Sequence, residues 1–105
     1  CTVLFDGKAI TSCLVLALQV DGREVVTVRR TDDRLLEALK EAFVSHGASQ
    51  CGFCMPGTIM TARWLLVENP KPNRDEIRDA LSGNLCRCTG YKKIVDAIEY
   101  VSGDL

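Results

Sequence analysis

The spacing of hydrophobic residues changes near Arg30, from a period of two to a period of 3.6. Before Arg30, apolar and β-branched residues form short runs that are interrupted by Asp-Gly dipeptides. After it, apolar residues recur every three or four positions, as they do on one face of a helix. Strands followed by helices predict an α+β fold.

The first strands are expected at residues 2–5 and 8–10. They are separated by Asp6-Gly7, a dipeptide that favours two-residue hairpin turns because both of its positions tolerate a positive φ. We therefore expect an antiparallel hairpin at the start of the chain.

A long apolar run occupies residues 13–20, with leucines at alternate positions. Such a run indicates a strand that is buried on both faces or that closes one edge of a core. Asp21-Gly22 predicts a second tight turn, and the β-branched residues at 25–28 predict another strand. This strand region is too short for a core of its own, so we expect it to pack on the helices or on further sequence.

Four helices are expected in the remainder of the chain. Residues 31–33 offer caps for the first, and the second is expected to begin after the Pro-Gly at 56–57 and to end at the Asn-Pro at 69–70. Asn73 and Glu76 have the spacing of a capping box for the third. The apolar faces comprise Leu35, Leu36, Leu39, Ala42 and Phe43 in the first helix, Ile59, Met60, Trp64 and Val67 in the second, Ile77, Ala80 and Leu81 in the third, and Tyr91, Ile94, Val95, Ile98 and Val101 in the fourth.

Composition and charge exclude several functional classes. The 105 residues suffice for one domain, and 47% of them are hydrophobic and 26% charged, as in ordinary globular proteins. The net charge of −1 provides no basic field for nucleic acid or anionic lipid. The longest uninterrupted apolar run, residues 14–18, is too short to span a membrane. We expect neither nucleic-acid binding nor a membrane span.

The only histidine and three of the aromatic residues suggest no catalytic role. His46 is expected at the surface near a helix C-terminus, where an imidazolium is favourable. Phe43, Trp64 and Tyr100 are expected in the core rather than in an electron path. No catalytic acid, base or nucleophile is predicted.

Four of the six cysteines stand in two close pairs. Cys51 and Cys54 have the spacing C-x2-C, Cys86 and Cys88 have the spacing C-x-C, and 31 residues (55–85) separate the pairs. Each pair precedes a predicted helix, whose N-terminal partial positive charge stabilises thiolates. Disulfides are an alternative, but tight pairs in a chain with ample apolar residues are more often metal ligands.

Four thiolates suit either tetrahedral zinc or an iron–sulfur centre. Zinc ribbons usually have two C-x2-C pairs on hairpin turns, whereas here one pair has a single spacer. A 2Fe–2S centre with four thiolates is an anion, and Arg87, Lys92 and Lys93 stand near the second pair to offset its charge. A thiol–disulfide enzyme that uses Cys51 and Cys54 lacks the expected strand before the C-x2-C pair.

The sequences QCGFC at residues 50–54 and CRCTGY at 86–91 resemble the iron–sulfur subunit of molybdenum hydroxylases. That family includes xanthine oxidoreductases, aldehyde oxidoreductases and carbon monoxide dehydrogenases. The resemblance covers essentially the whole chain. It implies the C-terminal part of a plant-type ferredoxin (β-grasp) domain at residues 1–30 and a four-helix 2Fe–2S-binding domain at residues 31–105.

The resemblance also implies the roles of individual residues. Cys1 and Cys13 match the third and fourth ligands of the ferredoxin-type cluster, and the sequence holds no match to the first two. A second cluster is therefore expected only if those ligands are present. The helical-domain cluster would be bound by Cys51, Cys54, Cys86 and Cys88, and the molybdopterin of a partner would be contacted by Gln50 and Cys88.

The function implied is that of the small, electron-transferring subunit of a cytoplasmic, multi-subunit oxidoreductase. A large partner would hold the molybdopterin and oxidise the substrate. Electrons would pass one at a time through the 2Fe–2S clusters to an FAD-binding medium subunit or another acceptor. The alternative is a zinc-stabilised structural or interaction module. The visible spectrum separates the two, because oxidised 2Fe–2S proteins are red-brown and zinc thiolates are colourless.

Overall fold

The computed structural model of the chain describes residues 2–48, 52, 54–84 and 91–103. Three strands and four α-helices in these ranges confirm the predicted α+β class. None of the helices described is long and apolar enough to cross a bilayer. The elements are β1 (Thr2–Phe5), β2 (Lys8–Thr11), two 3-10 turns (Ser12–Leu14 and Ala17–Val20), β3 (Val25–Val26), α1 (Arg34–Ser45), α2 (Met55–Glu68), α3 (Arg74–Ala80) and α4 (Lys92–Gly103).

The strands form an antiparallel sheet in the order β2-β1-β3. Phe5 pairs with Lys8, so that Asp6 and Gly7 form the two-residue turn of the predicted hairpin. Their φ angles are 51° and 86°, as a type I′ turn requires. The carboxylate of Asp6 also accepts hydrogen bonds from Glu24 N and from Arg23, both at 2.9 Å, which fix the approach to β3.

The strand predicted at residues 13–20 is wrong. The segment forms two 3-10 turns, and Leu14, Leu16 and Leu18 are 82%, 69% and 90% exposed. Local hydrogen bonds replace a strand ladder here, since Leu16 N donates to Gln19 Oε1 at 2.8 Å and Gln19 N donates to Leu16 O at 2.9 Å. Because β1 already pairs with β2 and β3, it offers this run no free edge.

The helix boundaries follow the predicted caps with one correction. Asp33 Oδ1 accepts from Leu36 N at the start of α1, and Asn73 and Glu76 form the predicted capping box of α3. The second helix, however, begins at Met55 rather than after the Pro-Gly pair. Pro56 is tolerated there because the first turn of a helix needs no N–H donor from it.

One hydrophobic core joins the helices to the sheet. Leu4 of β1 is 2% exposed and belongs to the same buried cluster as the helix side chains. Two predicted core positions are wrong, because Val67 is 53% and Tyr100 57% exposed. The Tyr100 ring instead lies 5.0 Å from the partly buried imidazole of His46. The largest fully buried side chains are Phe43, Leu36, Leu39, Ile59, Met60, Leu66, Ile77, Ile94, Ile98 and Val95.

Candidate metal centre

Two of the predicted cysteine ligands lie within the described residues. Cys54 is the N-cap of α2 and is partly buried. Cys13 lies in the first 3-10 turn and is exposed. The other predicted site residues, Cys1, Gln50, Cys51, Cys86 and Cys88, lie outside the described residues.

The segment just before the first cysteine pair contacts α4, the helix that follows the second cysteine pair. Gly47, which ends α1 with a φ of 64°, has Lys93 Nζ at 3.6 Å from the position that a Cβ would occupy. In the sequence, Gly47 precedes Cys51 and Lys93 follows Cys88. The end of α1 and the start of α4 are therefore neighbours.

The segment just before the second cysteine pair contacts α2, the helix that follows the first cysteine pair. Asn84 Oδ1 lies 3.1 Å from the Cβ position of Gly57, in the first turn of α2. Asn84 Nδ2 also donates to Thr61 Oγ1 one turn further along α2, at 2.8 Å. In the sequence, Gly57 follows Cys54 and Asn84 precedes Cys86.

These two contacts fit a shared metal centre, because each joins a segment next to one cysteine pair to a segment next to the other. Four chain segments, each next to one cysteine pair, are brought together in two close approaches. A centre that takes two ligands from each pair needs such a convergence, because neither pair alone can complete four-coordination. Among the residues that the structure describes, no cluster of three or more His, Cys, Asp or Glu side chains offers a competing metal site.

The charges at the helix starts also fit an anionic centre. The first turn of α1 contains Glu37, and that of α3 contains Asp75 and Glu76, which complement the positive N-terminal ends of these helices. The first turns of α2 and α4, which follow the cysteine pairs, contain no acidic residue, and α4 begins with Lys92 and Lys93. Thiolates with their bound metal would supply the missing negative charge at both ends.

Thiolate donors and these two helix ends suit a 2Fe–2S cluster held by both cysteine pairs. They also suit a zinc ion with four thiolates, so the fit alone leaves both metals open.

Sequence reasoning missed the residues that hold the segments together. In the sequence, Gly57 indicates only the start of a helix, whereas in the structure its missing side chain permits the close approach of Asn84. The sequence pattern predicts no role for Asn84. A glycine inside the first turn of a helix, where it costs stability, is the signal that could have pointed to such a contact.

Comparisons with known proteins add a family and several relatives. A family model described as a 2Fe–2S binding domain matches residues 26–99. The small subunit of nicotine 6-hydroxylase from Paenarthrobacter nicotinovorans is 52% identical over 105 residues, which are 100% of this chain and 64% of that subunit. The small FeS subunit of nicotinate dehydrogenase from Eubacterium barkeri is 48% identical over 101 residues, 95% of this chain and 64% of that subunit.

A solved structure has the same fold. The crystal structure of quinoline 2-oxidoreductase from Pseudomonas putida 86 superimposes with a TM-score of 0.87 at 48% identity, over 98% of this chain and 65% of the matched chain. This chain thus spans slightly less than two thirds of the length of each of these three relatives.

Proposed function

Because this chain belongs to the 2Fe–2S binding domain family, we propose that it carries electrons, one at a time, from a substrate-oxidising partner subunit to a further acceptor. The predicted resemblance to the iron–sulfur subunits of molybdenum hydroxylases is confirmed by the relatives described above. Two of those relatives are named as small subunits, which supports the same place in a multi-subunit oxidoreductase. The zinc-stabilised module has no support among them.

The ligands proposed for the cluster of the helical part are Cys51, Cys54, Cys86 and Cys88. The single observation that carries this assignment is the close approach of Asn84 to Gly57, which brings the segment before Cys86 against the helix after Cys54. A 2Fe–2S cluster supplies one-electron chemistry at this place when it is bound.

The chain's own residues would stabilise that anionic cluster and keep it away from water. The first turns of α2 and α4 would direct their N-terminal partial charges towards it. Lys93, whose amine lies beside the end of α1, would add a full positive charge. The buried side chains of Ile59 and Ile94, near the same helix starts, would exclude water from the apolar side of the site.

If the subunit supplies two further cysteines, Cys1 and Cys13 would complete a second ligand set, which would hold a ferredoxin-type cluster. Residues 1–30 would belong to that ferredoxin-like domain and residues 31–105 to the helical domain. Gln50 and Cys88 would contact the molybdopterin of the large partner. Electrons would leave for an FAD-binding subunit or another acceptor, in a cytoplasmic complex.

The substrate class would be set by the partner. Nicotine, nicotinate and quinoline, which the names of the three relatives contain, are all nitrogen heteroaromatic compounds. This supports a nitrogen heteroaromatic substrate for the complex. We propose no residue of this chain as a determinant of the substrate.

The proposal is tested by purifying the intact complex with its natural full-length small subunit. Iron and zinc analysis and the visible spectrum should show iron and a red-brown colour, which substrate bleaches under anaerobic conditions. Cys86→Ala should remove one of two paramagnetic 2Fe–2S signals, and Cys13→Ala should remove the other. A colourless zinc protein, or a normal pair of signals in Cys86→Ala, would exclude the assignment.

A further inference from the structure

Asn84 lies at a junction of three parts of the fold. Its amide nitrogen donates to Thr61 of α2, and its amide oxygen accepts a hydrogen bond from Thr2 Oγ1 of β1 at 3.3 Å. The Cβ position of Gly57 lies 3.1 Å from Asn84 Oδ1 and 3.3 Å from Thr2 Oγ1. Any side chain at Gly57 would push these two atoms away from the helix.

The Thr2–Asn84 hydrogen bond joins residues that are 82 positions apart. Thr2 directly follows Cys1, and Asn84 stands two positions before Cys86. The contact therefore connects one proposed ligand set to the other by a path that runs only through residues 1–2, one hydrogen bond and residues 84–86. From Cys13 to Cys51, by contrast, the covalent path runs along the whole intervening chain, including α1.

We infer that the Thr2–Asn84 hydrogen bond is a bonded connection that couples the two cysteine sets electronically and controls the rate at which an electron passes between them. The inference rests on the proposed function and deepens it. With clusters bound at both sets, one electron would pass from the cluster held by the helical cysteines, which would be oxidised, to the cluster held in part by Cys1 and Cys13, which would be reduced. No proton moves and no bond breaks.

The physical reason is that the electronic coupling between two centres depends on whether bonds or gaps lie between them. Electron tunnelling weakens far more steeply across a gap than along covalent and hydrogen bonds. Next to this contact lies a cavity of about 170 Å³, which Thr2, Thr11, Thr61 and Asn84 help to line. If the Thr2 hydroxyl is removed, the path between β1 and Asn84 includes a through-space step.

The test uses the intact complex with both clusters loaded. Thr2→Val removes the hydroxyl but keeps the β-branched shape that suits a strand. Thr2→Ala removes it with a smaller side chain, and Thr2→Ser restores a hydroxyl. Thr11→Val is the matched control, because Thr11 is paired with Thr2 in the sheet and lines the same cavity. A pulse of one-electron reductant then reveals the rate at which the electron redistributes between the two centres.

The expected result is a several-fold slower redistribution in Thr2→Val and Thr2→Ala, with wild-type rates in Thr2→Ser and Thr11→Val. The paramagnetic spectra and the reduction potentials of both centres should stay as in the wild type, which a general structural disturbance would not allow. Equal rates in Thr2→Val and Thr11→Val would overturn the inference, as would a slower rate accompanied by altered spectra. A wild-type complex that shows no iron–sulfur signal, or only one, would instead overturn the proposed function.

Discussion

Arg63 of α2 donates two hydrogen bonds to one carboxylate oxygen of Asp33, from Nε at 3.0 Å and from Nη2 at 2.8 Å. The other oxygen of Asp33 caps α1 by accepting from Leu36 N at 3.0 Å. The side chains of Asp33 and Arg63 are 8% and 22% exposed, so water screens this pair only weakly. The carboxylate of Asp33 thus caps α1 and also binds α1 to α2 through Arg63.

This arrangement predicts a pH-dependent contribution to stability. Partial burial by itself raises the pKa of Asp33, but the hydrogen bonds from Leu36 and Arg63 outweigh burial and the pKa lies below its usual value of 3.8. A lowered pKa in the folded state means that the stabilisation is complete above the unfolded-state pKa of about 3.9 and is lost as the pH falls through the folded value. Asp33→Asn keeps a good cap and loses the ion pair, so we expect about 2 kcal/mol less stability at neutral pH.

Urea unfolding of the wild type and Asp33→Asn at a series of pH values measures this difference. The gap between the two proteins should be constant near neutral pH and close below pH 3.8. Asp33→Ala, which removes both the cap and the pair, should be less stable than Asp33→Asn at every pH. A gap that is independent of pH would show that the ion pair contributes nothing.

The two lysines at the start of α4 are expected to affect the cluster unequally. Both lysines are exposed, but Lys93 Nζ lies 3.6 Å from the Cβ position of Gly47, on the segment that leads to Cys51. Removing a positive charge near a cluster makes the addition of an electron less favourable, so Lys93→Gln should lower the reduction potential of the helical cluster. Lys92→Gln changes the net charge equally and should lower it less. A redox titration monitored by paramagnetic resonance compares them, and equal shifts would contradict a specific role for Lys93.

A methyl group at position 57 is predicted to lower the stability of the protein. A Cβ there would lie 3.1 Å from Asn84 Oδ1 and 3.3 Å from Thr2 Oγ1, both tighter than most Cβ contacts, so these two atoms would have to shift. The strain should exceed the gain in helix propensity and leave Gly57→Ala about 1 kcal/mol less stable. The control is Gly83→Ala, since a Cβ at Gly83 would meet nothing within 4 Å. Thermal unfolding of both variants, loaded with iron, provides the comparison, and equal midpoints would refute the prediction.

The predicted cofactor contact of Gln50 is tested by kinetics. Gln50→Ala should leave the cluster spectrum nearly unchanged, because an amide next to a ligand is not itself a ligand. It should slow the reduction of the cluster by substrate in the assembled complex, while reduction of the molybdenum changes much less. Stopped-flow absorbance at wavelengths for both centres separates the two steps. If the cluster of the Gln50→Ala complex is reduced as fast as in the wild type, electrons do not enter through Gln50.

Local signals in the sequence were sufficient for much of the fold. Asp6-Gly7 determined the hairpin because few dipeptides accept two positive φ angles. Asn73 and Glu76 determined the start of α3 because each side chain bonds the backbone of the other residue. The turn itself lies between Phe5 and Lys8, and the capping partners are three residues apart, so the sequence of a short segment contains each signal.

The failures involve partners that are distant in sequence. Leu14, Leu16 and Leu18 alternate as a buried strand would, but the edges of β1 were already taken by two other strands. Tyr100 has the hydrophobicity of a core residue, yet its position on α4 directs it outwards, against His46. The contact between Asn84 and Gly57 likewise depends on how α2 and α3 meet, which no periodicity reveals.

The burial of Leu4 among the helix side chains has a consequence for protein engineering. A chimera that exchanged only the helical segment between two such subunits would surround Leu4 with helix side chains that its own shape does not match. A graft that carries the β1–β2 hairpin and residues 25–28 together with the four helices would transfer the buried cluster with these neighbours. The unit of modular exchange in this protein is therefore larger than the segment on which its helices lie.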